Sequence, residues 1–334
     1  MEKKMFLLLV LFGVFVHAYS QEHPIMTVGG PIAPEKMGRT LVHEHLLVDF
    51  VGADQISEDR WDKREVMNVV LPQLEVIVKQ GIGTLVDCTP AFLGRDVFLL
   101  EALMETSGLQ ILTNTGLYGA VDNKFLPTYA FEESAEQLAK RWITEWEEGI
   151  DGTDIRPGFI KIGVNPETLS TLHQKLVRAA AFTHLATGLS IASHTGPAVP
   201  AFEQMEILLE MGVSAEAFIW VHAQQEKDLN MLVEAAEMGA WISLDGLGEE
   251  QMQSYVGRLQ YLKENGLLHK ALISHDAGWF SPGEEDGGDF RPFTTLTEKF
   301  VPLMLTSGFT PTEIDMLLVK NPQEALKIRI RNKE

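Results

Sequence analysis

Short apolar runs alternate with longer amphipathic segments along the chain from residue 37 onward. The short runs are rich in β-branched and aromatic residues, which predicts strands. The longer segments repeat apolar residues every three or four positions, which predicts helices. The eight predicted strands span residues 39–44, 84–88, 110–114, 158–163, 189–194, 217–222, 241–244 and 271–275.

Amphipathic segments separate most of these strands. In residues 62–80, for example, Val66, Val70, Leu74 and Ile77 share one helical face. The other predicted helices span residues 131–148, 169–187, 202–211, 228–238, 252–265, 293–307 and 312–319. Regular alternation of strand and helix is typical of parallel βα units.

Two α/β architectures fit eight such units, a closed barrel and an open doubly wound sheet. Histidine, lysine or aspartate residues follow predicted strands 1, 4, 5, 6 and 8. An open sheet would hold its first and last strands far apart, whereas a barrel places them side by side. We therefore expect a (β/α)8 TIM barrel. No linker rich in Pro, Gly and Ser divides the chain, so one domain is predicted over residues 21–334.

The first twenty residues differ from the rest. Lys3 and Lys4 precede an apolar run over residues 5–16, and small residues follow at 18–20. This order predicts a signal peptide cleaved before Gln21, and hence a secreted or periplasmic protein. The alternative is an N-terminal membrane anchor, but the apolar run is shorter than the ~20 residues that a spanning helix needs.

Charge and cysteine content narrow the possible functions. The formal net charge is −20, and removal of residues 1–20 takes away Glu2, Lys3 and Lys4, which leaves the mature chain more acidic by one charge. Such a surface repels phosphate backbones and anionic lipid, so nucleic-acid and membrane-surface roles are poorly supported. Cys88 is the only cysteine, which excludes an intramolecular disulfide, and its apolar neighbours predict a packed thiol.

Candidate metal ligands lie at or near the ends of the predicted strands. His43 and His45 are two residues apart, so both side chains leave the same face of a strand. His194 and His222 each end another strand, and Asp276 follows the last one. Each histidine alone could be an ordinary hydrogen-bonded residue, but together they predict a metal site at the barrel mouth.

Lys161 lies among Phe159, Ile160 and Ile162, where a strand should be buried. A buried ammonium is unfavourable unless it is paired or chemically changed. Carbamylation by carbon dioxide would turn the amine into a carboxylate that can bridge two metal ions. The alternative is an ion pair with Asp276 or Asp87.

Only one of the adjacent residues His275 and Asp276 can point into the barrel. A carboxylate suits a metal ligand that also accepts a proton from bound water. We assign Asp276 to the interior and His275 to a supporting position, and the reverse assignment remains open at this point.

The set of His43-x-His45, Lys161, His194, His222 and Asp276 resembles the phosphotriesterase family of the amidohydrolase superfamily. Further matching motifs are Leu41-Val42-His43-Glu44-His45, Gly94-Arg95-Asp96, Asn114-Thr115-Gly116, Ile273-Ser274-His275-Asp276 and Asn321-Pro322. The resemblance covers residues 25–328 and implies a metal-dependent hydrolase with two divalent ions, usually zinc.

The resemblance also implies a role for each ligand. His43, His45 and Asp276 would hold one ion, and His194 and His222 the other. Carboxylated Lys161 and a hydroxide would bridge the two ions, and Asp276 would accept the proton during catalysis. Catalytic roles are therefore expected for Asp276 and Lys161. The resemblance further suggests a homodimer.

The substrate is less well indicated. Tyr118 matches a tyrosine that lactonase members place over the metals, or it is a rim aromatic with a packing role. The chain departs from the family at Gly246, where acyl-homoserine lactonase members carry an arginine. It also departs at residues 224–225, where the Gly-x-x-Asp pattern is absent. These departures put long-chain acyl-homoserine lactones in doubt.

Two further residues are candidates for substrate binding. Trp279 lies in the long stretch 277–289, which is a lid or pocket wall in one interpretation and a solvated acidic loop in the other. Arg291 could bind a substrate anion, or it could pair with Asp289 at the surface.

The leading interpretation is an exported enzyme that opens a small or sugar-type lactone. A phosphotriesterase acting on organophosphate triesters is the second possibility. A non-catalytic, metal-containing binding protein is the third.

Overall fold

The computed structural model describes residues 23–333. The predicted signal peptide, residues 1–20, lies outside this range. The strands are β1 (Ile25–Thr27), β2 (Gly30–Ile32), β3 (Arg39–Leu47), β4 (Ile82–Asp87), β5 (Gln110–Leu112), β6 (Asn114–Thr115), β7 (Phe159–Gly163), β8 (Ile191–His194), β9 (Phe218–Val221), β10 (Trp241–Leu244), β11 (Ala271–Ile273) and β12 (Gly278–Phe280).

Helices follow the strands as the amphipathic pattern predicts. They are α1 (Lys63–Lys79), α2 (Val97–Ser107), α3 (Thr128–Glu132), α4 (Ala135–Glu148), α5 (Thr171–Thr187), α6 (Ala198–Glu210), α7 (Leu229–Glu237), α8 (Met252–Glu264), α9 (Val301–Thr306), α10 (Pro311–Asp315) and α11 (Asn321–Leu326). Of the described helices, none is both long and apolar enough to cross a membrane.

The strands form two parallel sheets with the orders β12-β3-β4-β5 and β6-β7-β8-β9-β10-β11. The sheets are parts of one barrel, because β5 and β6 are a single strand interrupted at Thr113. The Thr113 carbonyl accepts a hydrogen bond of 2.8 Å from Gly158 N, just before β7. Eight strand positions therefore lie around the barrel, and the α/β TIM-barrel prediction is confirmed.

The last strand position is split in the same way. The strand predicted over residues 271–275 ends at Ile273, the chain turns through residues 274–277, and β12 then pairs with β3. Asp276 N donates to His43 O at 3.0 Å, and His45 N donates to Ala277 O at 2.9 Å. These bonds close the barrel between its first and last strands.

A glycine makes this closure possible. An ideal Cβ on Gly278 would lie 1.9 Å from the His45 carbonyl oxygen. The backbone of Gly278 also has φ of +95°, a conformation that disfavours other residues. No other residue type would let β12 approach β3 so closely.

Apolar side chains fill the barrel below its mouth. They belong to one packed cluster that includes Cys88, Phe159, Ile219 and Leu272. The thiol of Cys88 is buried, as its neighbours predict. The polar residues at the carboxyl ends of the strands therefore rest on a dry, close-packed floor.

The hairpin of β1 and β2, which the sequence pattern did not indicate, packs at the end where the strands begin. Ile25 belongs to the interior cluster, and Val28 N donates to Ile111 O at 2.8 Å. The segment after α11 passes the same end, since Ile328 N donates to Pro24 O at 3.0 Å.

Candidate metal centre

The six predicted ligands line one cavity of about 90 Å³ at the carboxyl ends of the barrel strands. They are His43 and His45 on β3, Lys161 on β7, His194 on β8, His222 after β9 and Asp276 between β11 and β12. Parallel strands of a closed barrel present their carboxyl ends to one mouth, which explains why residues so distant in the chain converge.

His43, His45 and Asp276 form one group of possible metal ligands. Each offers one nitrogen or carboxylate oxygen, and these three atoms lie within 4.8 Å of one another. Asp276 Oδ1 is 3.1 Å from His45 Nε2 and 3.8 Å from His43 Nε2. The other oxygen, Oδ2, is 3.9 Å from His222 Nε2. The Asp276 carboxylate thus faces three imidazoles from two different strands.

The orientation of His45 is fixed by Thr89. The Thr89 hydroxyl donates to the Leu47 carbonyl at 3.0 Å, so its lone pair accepts from His45 Nδ1–H at 2.8 Å. This assignment leaves the Nε2 lone pair of His45 directed at the cavity, where a metal ion requires it.

Asp245 fixes two more histidines in the same way. Its Oδ2 lies 3.0 Å from His43 Nδ1, and its Oδ1 lies 2.7 Å from His222 Nδ1. His43, His222 and Asp245 also form a compact group. Both oxygens of Asp245 are already engaged by Nδ1 atoms, so we regard it as an orienting residue and not as a ligand.

His194 and His222 face each other across the cavity. His194 Nδ1 lies 2.8 Å from His222 Nε2 and 3.0 Å from the hydroxyl of Tyr118. Because His222 Nδ1–H is bound to Asp245, its Nε2 carries a lone pair. The two facing nitrogens can share one proton or hold one cation.

Lys161 is 1% exposed, and its Nζ lies 3.5 Å from His43 Nε2. Across residues 23–333, no carboxylate oxygen lies within 4.0 Å of this amine. The structure therefore does not form the alternative ion pair of Lys161 with Asp276 or Asp87.

The turn that carries Asp276 is held by Glu44, which is fully buried. Its Oε1 accepts from the Ser274 hydroxyl at 2.7 Å and from His275 N and Nδ1 at 3.1 and 2.7 Å. Its Oε2 accepts from Ala277 N at 2.9 Å. The carboxylate of Glu44 thus fixes the residues on both sides of Asp276.

His275 is not available as a ligand. Its Nδ1 donates to Glu44, and its Nε2 accepts a hydrogen bond of 3.0 Å from Leu296 N. Asp276 instead points into the cavity from a backbone with φ of +53°. His222 and Trp279 also have positive φ. Non-glycine residues in this conformation are uncommon and cluster at functional sites.

Burial and charge set the protonation states that metal binding needs. Burial, aided by the Lys161 ammonium, lowers the pKa of His43 to about 4. Burial likewise lowers the pKa of His194. Burial opposes ionisation of Asp276, but His43 and His45 outweigh it and hold the pKa of that carboxyl below its usual value. His43 and His194 are thus held as neutral imidazoles beside an ionised carboxylate.

For His222 the balance of burial and charge differs. Burial lowers its pKa, but the adjacent carboxylate of Asp245 outweighs this effect, so the net shift is upward. The Asp245 carboxylate therefore both orients the His222 ring and favours its protonated form.

The walls of the cavity are largely apolar and aromatic. Val48, Phe50, Leu93, Tyr118 and Trp279 line it above the candidate ligands. The rings form edge contacts, for instance between Phe50 and Trp279 with centroids 5.4 Å apart. Of the three predicted substrate-binding residues, Tyr118 and Trp279 thus border the cavity.

Arg291 lies outside the cavity lining. Its guanidinium carbon is 3.9 Å from the centroid of the Trp279 ring, so it braces the cavity wall from outside. The alternative pairing with Asp289 is not formed, because across the described range no carboxylate lies within 4.0 Å of Arg291.

The donor set fits divalent metal ions. Three imidazoles have their Nδ1 atoms bound to orienting residues and their Nε2 atoms directed into the cavity, a fourth imidazole directs Nδ1 into it, and one carboxylate is ionised. Neutral imidazole and carboxylate are the ligands that zinc accepts in catalytic sites.

Asp245, Glu44 and Thr89 contact the candidate ligands or the turn that carries Asp276, and the sequence pattern did not predict these contacts. Asp245 had a detectable signal, since it follows a predicted strand at the position where His194 and His222 end theirs. Glu44 is visible in the sequence only as the acid between His43 and His45, and nothing there indicates its contacts with residues 230 to 233 positions away.

Comparison with known proteins identifies relatives of this barrel. The family model described as "Phosphotriesterase family" matches residues 23–326. The chain is similar to the phosphotriesterase homology protein of Escherichia coli strain K12, with 28% identity over 86% of this chain and 97% of that protein. It is also similar to an aryldialkylphosphatase of Saccharolobus solfataricus, with 27% identity over 88% of this chain and 96% of that protein.

Solved structures are similar in fold. An organophosphorus hydrolase from Deinococcus radiodurans superimposes with a TM-score of 0.82 at 26% identity, covering 92% of this chain and 98% of that one. A lactonase from Listeria monocytogenes gives a TM-score of 0.80 at 24% identity, covering 92% and 99%. The second likeness supports the fold alone.

Proposed function

The chain belongs to the phosphotriesterase family and is a hydrolase of ester bonds, and on that premise we propose that it is a binuclear-metal lactonase acting on small lactones. The observation that carries the proposal is the position of Lys161. A buried amine without a carboxylate partner, 3.5 Å from His43 Nε2, is where a carboxylated lysine could bridge two ions.

His43, His45 and Asp276 would hold one divalent ion, His194 and His222 would hold the other, and carboxylated Lys161 would join them. When bound, such ions lower the pKa of a water molecule and polarise the scissile carbonyl. Zinc suits this set of nitrogen and oxygen donors.

The remaining chemistry falls to the chain itself. The Asp276 carboxylate is ionised and borders the cavity, so it can accept the proton released during attack. The hydroxyl of Tyr118, 3.0 Å from His194 Nδ1, is the polar group of the wall nearest that histidine. Phe50 and Trp279 restrict the access of bulk water, which strengthens electrostatic interactions inside.

The shape and polarity of the cavity support a small, weakly polar lactone. Apart from the ligands and Tyr118, its lining consists of apolar side chains, Phe50, Cys88 and Trp279. The only strong hydrogen-bond donor in this second group is the indole N–H of Trp279, which is buried and has no partner among the described residues. A sugar lactone carries several hydroxyls, and one indole N–H can pair with only one of them, so the others would be left unpaired against these walls, which is unfavourable. We therefore favour an alkyl lactone over a sugar-type lactone.

Phosphotriester hydrolysis is the second candidate, because the relatives at 26–27% identity are named aryldialkylphosphatase and organophosphorus hydrolase. The test is side-by-side turnover by the zinc-loaded protein of an alkyl γ- or δ-lactone, an aldonolactone and diethyl 4-nitrophenyl phosphate. We expect the alkyl lactone to have the largest kcat/KM. A large preference for the triester would refute the lactonase assignment.

Two controls accompany this assay. A chelator and the variant Lys161→Ala should each abolish turnover, whereas Lys140→Ala, which alters an exposed lysine of α4, should not. Tight lactone binding without turnover by the zinc-loaded protein would instead indicate a non-catalytic binding protein.

We also propose that the protein is exported. The support is the charged, apolar and small-residue order of residues 1–20. Expression of the full chain in a bacterium, followed by fractionation and N-terminal sequencing, should give a periplasmic or secreted protein that begins at Gln21. A cytoplasmic product that retains Met1 would contradict export.

A further inference from the structure

One carboxylate, that of Asp245, contacts a predicted ligand of each metal ion. It is fully buried at the end of β10. Oδ2 is 3.0 Å from His43 Nδ1, and Oδ1 is 2.7 Å from His222 Nδ1. His43 is assigned to one ion and His222 to the other, so Asp245 lies between the two halves of the centre.

The ionised carboxylate of Asp245 has no proton and can only accept hydrogen bonds. Other donors surround it as well. The Ser243 hydroxyl donates to Oδ2 at 2.8 Å, and Gln224 Nε2 donates to Oδ1 at 3.3 Å. The backbone N–H of His222 donates to Oδ1 at 3.1 Å and to Oδ2 at 3.3 Å. Both histidines must therefore carry a proton on Nδ1, so that in the neutral form of each ring the lone pair is on Nε2.

We propose that Asp245 is a positioning residue that fixes the ligand tautomer of one histidine in each metal site, so that loading of both sites depends on this single side chain. The proposal rests on the binuclear centre put forward above. It extends that centre to a residue that is not a ligand.

Replacement of Asp245 by asparagine should impair metal binding at one site and leave the other site intact. The amide of Asn offers one acceptor and one donor group, whereas Asp offers two acceptors. The amide nitrogen fits better at the Oδ2 position, because the Ser243 hydroxyl can rotate to accept from it. At the Oδ1 position it would face both Gln224 and the nearer approach of the His222 N–H.

With the amide nitrogen at Oδ2, His43 must present a lone pair at Nδ1 and carry its proton on Nε2. A protonated Nε2 cannot bind a metal ion. His222 still faces an oxygen and keeps its ligand lone pair. The ion held by His43, His45 and Asp276 should therefore be lost, while the ion on His194 and His222 remains.

The experiment measures zinc per chain by mass spectrometry after loading and gel filtration, for the wild type, Asp245→Asn and Ser243→Ala. We expect two zinc ions in the wild type, one in Asp245→Asn and two in Ser243→Ala, which removes a donor but leaves both acceptors. Circular dichroism and the melting temperature of the metal-free proteins check that each variant is folded.

A second measurement covers the case in which Asp245→Asn does not fold. Nitrogen-15 NMR of the histidines in the metal-free wild type should show His43 and His222 protonated on Nδ1. A neutral His43 or His222 ring that carries its proton on Nε2 and not on Nδ1, or two zinc ions bound with wild-type affinity in Asp245→Asn, would overturn the proposal and leave the proposed function intact. Fewer than two zinc ions in the wild type would overturn both.

Discussion

Replacing Glu44 by glutamine tests whether Glu44 fixes the position of Asp276, the proposed proton acceptor. Glu44 lies one residue from each histidine of β3, yet its carboxylate points away from the cavity and binds the turn around Asp276. In Glu44→Gln, the amide oxygen can keep the three donors now on Oε1. The amide nitrogen then faces Ala277 N–H, donor against donor.

The size of the effect follows from these contacts. Loss of one hydrogen bond to a charged group costs about 1.5–3 kcal/mol, and the bonds kept by the neutral amide become weaker. We expect the free energy of unfolding to fall by about 3 kcal/mol. A domain of ~310 residues unfolds with an entropy of roughly 0.65 kcal/mol/K, so the melting temperature should drop by about 5 °C.

The assay is chemical and thermal unfolding of the metal-free proteins, followed by lactone turnover of the zinc-loaded proteins. The matched control is Glu285→Gln, which changes an exposed carboxylate and should alter stability by less than ~0.5 kcal/mol. Turnover should fall in Glu44→Gln alone, because Asp276 loses its fixed position. Unchanged unfolding and turnover in Glu44→Gln would refute the role assigned to this carboxylate.

Three further predictions address charge and burial. Lys161→Met should abolish hydrolysis and yet raise the unfolding free energy of the metal-free protein by about 1 kcal/mol, because it removes a buried ammonium that lacks a carboxylate partner; a fall in stability would contradict this. Burial lowers the pKa of His184 to about 4, below the value of the unfolded chain. Neutral His184 therefore stabilises the fold fully above pH ~6.5, and up to about 3 kcal/mol of the unfolding free energy is lost as the pH falls toward 4. His184→Gln should flatten this part of the stability–pH profile, measured by urea unfolding between pH 7 and 4.5, and an unchanged slope would refute the assignment. Arg291→Ala should raise KM by up to about five-fold with little change in kcat, because about 1 kcal/mol of bracing on Trp279 is lost, and a steady-state profile with unchanged KM would contradict it.

Periodicity predicted the alternation of strands and helices, because every barrel strand has an apolar run and most helices have one apolar face. The positions of the candidate ligands then favoured a barrel over an open sheet. It missed α2, whose residues are apolar on several sides and include the exposed Phe98. It also missed the break at residues 274–277, because Ile273 and the polar residues after it read as one continuous strand. The break depends on Glu44, which is distant in the chain.

Proline explains another difference. The predicted helices 293–307 and 312–319 overlap five-residue π-helical turns at Leu296–Phe300 and Met316–Lys320. Pro302 and Pro322 follow these turns closely and lack the N–H that a regular helix needs. Helical spacing of apolar residues survives such a change in hydrogen bonding, so the pattern predicted helices without indicating their irregularity.

The candidate site was predictable where its chemistry is carried by side-chain type and strand position. The spacing of His43 and His45 and the apolar surroundings of Lys161 are visible in the sequence. The tautomer of each imidazole is not, since it depends on partners such as Thr89 and Asp245 that lie 44 and 202 residues from the histidines they orient.

The hydrogen bond between Pro24 and Ile328 joins the first described residues to the segment after α11. It lies at the lower end of the barrel, where the strands begin. Lys333, the last described residue, donates its N–H to Gly212 O in the connection between α6 and β9, which is at the same end of the barrel. A peptide linker could therefore join residues 23 and 333 there without disturbing the mouth. New termini could then open elsewhere on the lower face, for example at Gly239, between α7 and β10. Such a circularly permuted chain would keep every strand neighbour, and so offers a route to fusing other domains far from the substrate entrance.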